Sequence, residues 1–149
     1  MQPKVSDWTW HCGNCGHWVA NLQTDFAPGK GLPHSESDDP IGFLEPVRLA
    51  NFRHILARIE ALGVPRHRDS RILDIGCASG FFLKTATDHG YAALGIEPKL
   101  EMAEAARRHG AEVRHGFFPD VLQADEKFHV IIFNDVLEHI PDIGAILDA

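Results

Sequence analysis

The feature that most constrains the fold is a short apolar run that ends in a turn of small residues and continues into a helix-like segment. The run spans Leu73 to Phe82 and reads LDIGCASGFF. A strand that ends this way presents backbone N–H groups at the N-terminus of a helix, and small side chains let a ligand approach the backbone. In open α/β folds, ligands bind at the carboxyl ends of the strands. The run therefore predicts an α/β fold with a ligand site at this turn.

The sequence around this turn alternates between strand-like and helix-like patterns. Four short apolar runs predict strands, and three segments with helical periodicity predict helices. The strands are residues 71–76, 91–97, 111–116 and 127–135, and the helices are residues 46–62, 81–90 and 99–110. This alternation implies a doubly wound, mostly parallel sheet with helices on both faces and right-handed crossovers.

Composition divides the chain into three predicted regions. Residues 1–22 are rich in Cys and Trp, residues 23–45 have the Gly, Pro, Ser and Asp content of a flexible linker or lid, and residues 46–149 form the Rossmann-like domain. The helix expected at 46–62 begins with Pro46 in its first turn and ends before Gly63. Its apolar face consists of Phe52, Ile55, Leu56, Ile59 and Leu62.

The sequence stops at Ala149, within what reads as the next helix. A doubly wound sheet usually continues with further strands, so we expect a fold truncated after the fourth strand. The last strand would then have an unpaired side, and self-association through this sheet edge is an expected interaction.

Charge and composition limit the expected partners and location. The net charge is −7, and the longest basic stretch is Arg66-His67-Arg68, so we do not expect binding to nucleic acid. No segment has the character of a secretory signal or a membrane span. The three cysteines cannot all pair within one chain, which favours a reduced, cytoplasmic protein over a disulfide scaffold.

The turn after the first strand can be compared with two nucleotide-binding motifs. In the dinucleotide fingerprint the last glycine allows close helix–strand packing, but here Phe81 occupies that place, which disfavours an NAD-dependent enzyme. The spacing Gly76-x-Ala78-x-Gly80, preceded by Asp74, instead resembles the first motif of class I S-adenosylmethionine-dependent methyltransferases. The resemblance covers residues 46–149 and implies a Rossmann-like fold that binds this cofactor.

Three further segments extend the resemblance in the family's order. Glu97, followed by Pro98, lies 21 residues after Gly76, where a carboxylate can accept hydrogen bonds from the ribose hydroxyls. Gly116-Phe117-Phe118-Pro119-Asp120 resembles the loop beside the adenine ring, with Phe117 or Phe118 available for stacking or, alternatively, for the core. Asn134, Asp135 and Val136 would lie against the methionine moiety. The expected cofactor-binding residues are Asp74, Gly76, Cys77, Ala78, Gly80, Phe81, Glu97, Pro98, Phe117, Phe118, Asn134, Asp135 and Val136.

The resemblance implies a methyltransferase that acts on a small-molecule or biosynthetic acceptor. A sulfonium makes its methyl group electrophilic, so such an enzyme mainly aligns donor and acceptor and excludes water. A general base is needed only if the acceptor must lose a proton, and His139, next to Glu138, is the candidate; a structural or substrate-shaping role is the alternative. A module that binds S-adenosylmethionine without transferring methyl groups is the alternative function.

The N-terminal segment contains half of a zinc-binding pattern. Cys12-Gly13-Asn14-Cys15-Gly16 resembles a zinc knuckle, in which two cysteines can face one ion. A second Cys-x-x-Cys pair is missing, so His11, His17 or His34 would have to complete the site; a remnant knuckle or free thiols are the alternatives. Trp8, Trp10 and Trp18 are expected to pack this small module.

Overall fold

The structure is a computed structural model, and it describes residues 2–3, 9–20, 41–140 and 142–148. The chain divides into two compact units, Met1–Asp39 and Pro40–Ala149. Trp8, His34 and residues 23–40 of the predicted linker lie outside the described residues.

The first unit contains a small antiparallel sheet. Strands β1 (Gln2–Pro3), β2 (Thr9–His11) and β3 (Trp18–Ala20) lie in that order. The connection between β2 and β3 carries the two N-terminal cysteines and is closed by two backbone hydrogen bonds. Cys12 N–H donates to His17 O at 2.8 Å, and Gly16 N–H donates to Cys12 O at 2.9 Å. Gly16 has φ +76°, a left-handed conformation that glycine adopts without steric cost.

The second unit is an α/β fold. Its elements, in chain order, are α1 (Ile41–Ala61), β4 (Arg71–Ile75), α2 (Phe81–Asp88), β5 (Ala92–Glu97), α3 (Leu100–Arg108), β6 (Glu112–His115), β7 (Val130–Ile132), a 3₁₀ turn (Leu137–His139) and α4 (Ile143–Leu147). The strands lie in the order β6-β5-β4-β7, and each neighbouring pair is parallel. This order reverses direction between β4 and β7, so the predicted doubly wound fold class is confirmed.

Helix α1 differs from its predicted bounds at the N-terminal end. It begins at Ile41, so the residues numbered 41–45 are helical although the sequence placed them in the linker. Pro46 therefore lies inside the helix rather than in its first turn, where its missing N–H leaves one upstream carbonyl without its usual donor. Phe52, Leu56 and Ile59 are buried as predicted, but Leu62 is 68% exposed because the helix has already ended at Ala61.

The two faces of the parallel sheet are covered differently. Helices α1, α2 and α3 pack on the face that carries Ile72, Ala93 and Val113. The other face carries a second cluster, Leu73, Ile75, Leu94 and Ile96, covered by Phe118, Val121, Leu122, Phe128 and Phe133. These covering residues come from the irregular segment between β6 and β7 and from the end of β7. Within the described residues, three helices cover the first face, whereas the segment between β6 and β7 supplies most of the side chains packed on the second.

No helix among the described residues is long and apolar enough to cross a membrane.

Candidate functional site

The turn between β4 and α2 requires a glycine at its first position. Gly76 has φ +74° and its N–H donates to Ile96 O at 2.8 Å, which holds the turn against β5. A Cβ atom at this position would lie 2.5 Å from Cγ2 of Val136. The Val136 side chain therefore packs directly against the backbone of the turn, in the space that a side chain at position 76 would need.

The rest of the turn brings α2 close to α3. Gly80 has φ +78°, and a Cβ atom there would lie 2.9 Å from Cβ of Ala106. Ala78 adopts φ +46°, a left-handed conformation that is unfavourable for a residue with a Cβ atom. The close helix packing that a dinucleotide fingerprint assigns to its last glycine is thus supplied here by Gly80, one residue before Phe81.

Glu97 ends β5 and connects two parts of the site. Its side chain is 6% exposed, and its two carboxylate oxygens accept hydrogen bonds from separate backbone amides. Oε2 accepts from Ala78 N at 2.9 Å, and Oε1 accepts from Lys99 N at 2.8 Å. An ionised carboxylate has about four acceptor positions, so each oxygen can accept one more donor.

Asp74 is a buried carboxyl at the end of β4. It is 3% exposed, and among the described residues no side-chain hydrogen bond is made to it. Burial, and then the nearby Glu97 carboxylate, raise the pKa of Asp74 to about 7. A buried carboxylate is costly unless a cation or donors compensate it, so this position is suited to a positively charged ligand group.

Cys77 follows Gly76 in the turn, and its thiol has low reactivity. Burial, followed by the Asp74 and Glu97 carboxylates, raises the pKa of its thiol to about 12. Its Sγ fills the space beside Gly95, where a Cβ atom would lie 2.5 Å away. Cys77 is therefore a packing residue that shapes the turn, since its thiolate is disfavoured.

A polar cavity of about 340 Å³ opens at the carboxyl ends of β4 and β7. Charged side chains of both signs border it: Arg48 from α1, Asp74 from β4 and Asp135 from the segment after β7. Asp135 has φ +56°, and its carboxylate receives a long hydrogen bond of 3.5 Å from Asn134. The other lining residues are Asn51, Phe52, Gly76, Cys77, Ala78, Ser79, Phe81 and Phe82.

An apolar cavity of about 260 Å³ lies on the other side of Gly76. Phe118 forms part of its wall and packs edge-on against Phe133, with ring centroids 6.1 Å apart. Phe117 also borders it and is 68% exposed. The remaining lining residues are Ile75, Gly76, Ile96, Pro98, Gly116, Val136, His139, Ile140 and Ile146. Gly76 is the residue that both cavities share.

The predicted cofactor residues fall into two groups around Gly76. Most residues of the first turn, with Asn134 and Asp135, border the polar cavity, whereas Pro98, Phe117, Phe118 and Val136 border the apolar one. Gly80 and Glu97 line neither cavity and instead support the turn from behind. His139, the candidate base, borders the apolar cavity, away from Arg48 and Asp74.

Helix α1 contributes residues to the site that were not predicted from the sequence. Arg48, Asn51 and Phe52 recur at spacings of three and four residues, so they share one helix face, and all three border the polar cavity. Only the tertiary fold brings this face over the strand ends. The sequence did carry one indication of this contribution. An arginine and an asparagine lie on the same helix face as Phe52, which is buried.

The described residues do not form a metal site. No group of three or more His, Cys, Asp or Glu side chains within them is arranged to hold a metal ion. Cys12 and Cys15 are free thiols, and His11 packs its ring against Trp18 at 4.7 Å between centroids. Backbone N–H groups of Cys15 and Asn14 lower the pKa of the Cys12 thiol. Zinc binding at Cys12 and Cys15, with His11, His17 or His34, stays a prediction.

Comparisons of the sequence with known proteins agree on one family. The profile of a methyltransferase domain family matches residues 47–149. A ubiquinone biosynthesis O-methyltransferase of Azorhizobium caulinodans is 30% identical over 117 residues, 72% of this chain and 46% of the relative. A protein of the same name from Xylella fastidiosa is 31% identical over 131 residues, 83% of this chain and 49% of the relative. The chain spans about half the length of these curated relatives.

Solved structures show the same fold. An S-adenosylmethionine-dependent methyltransferase from Mesorhizobium loti superposes with a TM-score of 0.50 at 22% identity, over 60% of this chain and 43% of the other. Magnesium protoporphyrin IX methyltransferase from Synechocystis, with S-adenosylmethionine bound, gives a TM-score of 0.51 at 18% identity, over 63% of this chain and 47% of the other.

Proposed function

The chain belongs to the methyltransferase domain family, and from this premise we propose that it binds S-adenosylmethionine across Gly76 and transfers the methyl group to a small-molecule acceptor. S-adenosylmethionine is the cofactor of this family. The observation that carries the proposal is that two cavities of opposite character meet at Gly76, a residue with no side chain to separate them. The cofactor has the same two-part character, an aromatic base at one end and a charged amino acid at the other.

The polar cavity fits the amino-acid end of the cofactor. Asp74 is a buried carboxyl with no partner among the described residues, and it would compensate the ammonium group. Arg48 borders the same cavity and would bind the carboxylate, a geometry that guanidinium matches with two parallel hydrogen bonds. The Arg48 guanidinium and the Asp74 carboxyl would together complement a zwitterion, and Asp135 borders the same cavity as a second acid.

The apolar cavity fits the adenine ring. Phe117 and Phe118 supply aromatic surface, and Ile96 and Pro98 supply aliphatic surface beside the end of β5. Glu97 lies between Ile96 and Pro98, which both border the apolar cavity, and its carboxylate already accepts hydrogen bonds from Ala78 and Lys99. We propose that it accepts hydrogen bonds from the ribose with its remaining acceptor positions.

Methyl transfer requires few catalytic groups from the protein. When bound, S-adenosylmethionine would supply an electrophilic methyl group to the acceptor's lone pair as its carbon–sulfur bond breaks, and a hydroxyl acceptor would release its proton to solvent. The chain's own residues would hold the donor and exclude water. His139 borders the adenine pocket in this proposal, so its position supports a cofactor-shaping role better than that of a general base. The relatives' name favours an acceptor that is methylated on oxygen.

Binding of S-adenosylhomocysteine, measured by calorimetry on the full chain, tests the cofactor proposal. Gly76→Ala should abolish measurable binding, because the new Cβ atom has no room beside Val136. Gly110→Ala is the matched control: Gly110 has φ +83°, so it carries the same backbone strain, but its Cβ atom would meet nothing within 4 Å. Wild-type protein that is folded yet does not bind S-adenosylhomocysteine would refute the proposal.

A second pair of variants tests the amino-acid end of the cofactor. Arg48→Gln should weaken binding by about 10- to 100-fold, the effect of losing a charged hydrogen bond. Arg53→Gln, on the exposed side of the same helix, is its control. Formation of S-adenosylhomocysteine from S-adenosylmethionine with oxygen and amine acceptors then separates an active enzyme from a module that only binds the cofactor.

A further inference from the structure

Glu126 lies between two arginines that come from different strands of the parallel sheet. Arg71 begins β4 and places Nη2 3.2 Å from Oε1 of Glu126, while Arg114, from β6, places its own Nη2 2.8 Å from the same oxygen. The second carboxylate oxygen accepts from Nη1 of Arg114 and, at 2.9 Å, from the backbone N–H of Gln123. Only 12% of the Glu126 side chain is exposed. These bonds, led by that from Arg114, lower the pKa of Glu126 to about 2, so the carboxylate is ionised at neutral pH.

Arg114 also binds the loop that forms part of the wall of the apolar cavity. Its Nη1 atom also donates to the backbone oxygen of Val121 at 3.0 Å. The Val121 side chain in turn occupies the space above Gly116, where a Cβ atom would collide with Val121 Cγ1. Gly116 borders the apolar cavity and directly precedes Phe117 and Phe118. A continuous chain of contacts therefore runs from Glu126 to the aromatic wall.

Other contacts also hold this loop. Phe118, Val121 and Leu122 pack on the second face of the sheet. Backbone hydrogen bonds within the loop run from Val121 N–H to Phe117 O at 3.3 Å, from Leu122 N–H to Pro119 O at 2.9 Å and from Glu126 N–H to Gln123 O at 3.1 Å. A helix would fix its side chains through its own ladder of hydrogen bonds, but a loop depends on contacts with the rest of the fold.

We propose that Glu126 and Arg114 are positioning residues for cofactor binding, holding Phe117 and Phe118 in the wall that receives the adenine ring. The inference rests on the proposed function, because it takes the apolar cavity as the adenine site. Neither side chain touches the ligand; both act through Val121 and Gly116. Affinity for an adenosyl ligand then depends on an ion cluster at the far side of the loop.

Two measurements on the full chain test this proposal. For Glu126→Gln we expect S-adenosylhomocysteine to bind about tenfold more weakly, under conditions where the variant is folded. Hydrogen exchange at the amides of Val121 and Leu122 should accelerate, while the Lys84 amide in α2 stays protected, since a merely global loss of stability would accelerate all three. Asp88→Asn removes the exposed Lys84–Asp88 pair and should leave binding within about twofold.

Three results discriminate between the possible explanations. If Glu126→Gln binds S-adenosylhomocysteine as tightly as wild type, the positioning role is overturned while the proposed function stands. If wild type itself does not bind, both fail together. Should Glu126→Gln fail to fold, Arg114→Gln carries the same test, because it removes the guanidinium that donates to both Glu126 and the backbone oxygen of Val121. Unchanged affinity in that variant would be equally decisive against the proposal.

Discussion

The carboxylate of Glu97 accepts a hydrogen bond from the backbone N–H of Ala78 at 2.9 Å, so the end of one strand holds the turn that follows its neighbour. The bond joins residues 19 positions apart in sequence. It fixes the turn in a conformation that Ala78 itself does not favour, with φ +46°. Glu97 is thus structural in the free protein, and the same carboxylate retains acceptor positions for a ligand.

The first prediction concerns this bond. Glu97→Gln leaves a single acceptor oxygen for the two amides of Ala78 and Lys99, and it turns an amide NH₂ toward one of them. We expect the free energy of unfolding to fall by about 1–3 kcal/mol, the cost of leaving a buried donor unsatisfied, and binding of S-adenosylhomocysteine to weaken. Urea unfolding and calorimetry measure the two effects. A variant as stable as wild type would show that the bond does not hold the turn.

Ala78 provides a second prediction, of the opposite sign. Because a left-handed conformation costs a residue with a Cβ atom about 1–2 kcal/mol, Ala78→Gly should raise the free energy of unfolding by roughly 1 kcal/mol. The matched control is Ala57→Gly, at an exposed position in α1, which should lower it by about 1 kcal/mol. If urea unfolding shows that both substitutions lower the free energy of unfolding equally, Ala78 is not strained.

The raised pKa of Asp74 predicts how stability depends on pH. The folded state binds this proton more tightly than the unfolded chain, whose Asp pKa is about 3.9, so the free energy of unfolding should fall as pH rises from about 4 to about 7. Asp74→Asn removes the titrating carboxyl, so its free energy of unfolding should exceed that of wild type at about pH 8 but not at about pH 4. The gain is bounded by about 4 kcal/mol, at about 1.4 kcal/mol per unit of pKa. Asp88→Asn, on an exposed carboxyl, should show no such difference.

The same group predicts a pH dependence of binding. If Asp74 must be ionised to compensate the ligand's ammonium group, its proton competes with the ligand below pH 7. S-adenosylhomocysteine should then bind up to about tenfold more tightly at about pH 8 than at about pH 6, since the ionised fraction changes by that factor. Asp74→Asn should bind weakly and equally at both values. A wild-type affinity that is constant across this range would exclude Asp74 as the group that titrates on binding.

The cysteines should differ in reactivity toward iodoacetamide. Backbone N–H groups lower the pKa of Cys12, whereas burial raises that of Cys77 to about 12, so Cys12 should be alkylated first and Cys77 only after unfolding. Mass spectrometry of the modified peptides reads out the order. The same sample, purified without chelators, tests the predicted zinc site: substoichiometric metal together with a reactive Cys12 would contradict it, and bound zinc would protect both Cys12 and Cys15.

Much of the fold was accessible from local patterns. The four strand-like runs and the helices between them lie where the structure has β4 to β7, α2 and α3, because each pattern reflects its own burial. Bounds were less accurate where tertiary contacts extend or shorten an element. Helix α1 begins five residues before its predicted start, and β7 spans only Val130–Ile132 of the nine-residue run 127–135. The packing of side chains from residues 118–133 on the second face was not predicted, because no local pattern shows which partner covers an apolar strand.

The residues of the site were likewise predicted only in part. The glycines at 76 and 80 and the acids at 74 and 97 were identified from spacing, since a tight turn and a strand end each require particular residue types. The different roles of these four residues were not predicted. Only the folded chain shows that Glu97 supports the turn while Asp74 borders a cavity with no hydrogen-bond partner among the described residues. It also shows that Arg48 joins them from a helix more than twenty residues away.

The amino-acid sequence by itself determined the alternating α/β pattern, the glycine turn and the residue types at the strand ends, because these depend on periodicity and on backbone conformations set by neighbouring residues. The tertiary structure alone decided that two cavities of opposite polarity meet at Gly76, that α1 contributes Arg48, and that Glu126 ties two strands to a loop. Those relationships join residues far apart in the chain, and their distances and shared desolvation exist only once the sheet has formed.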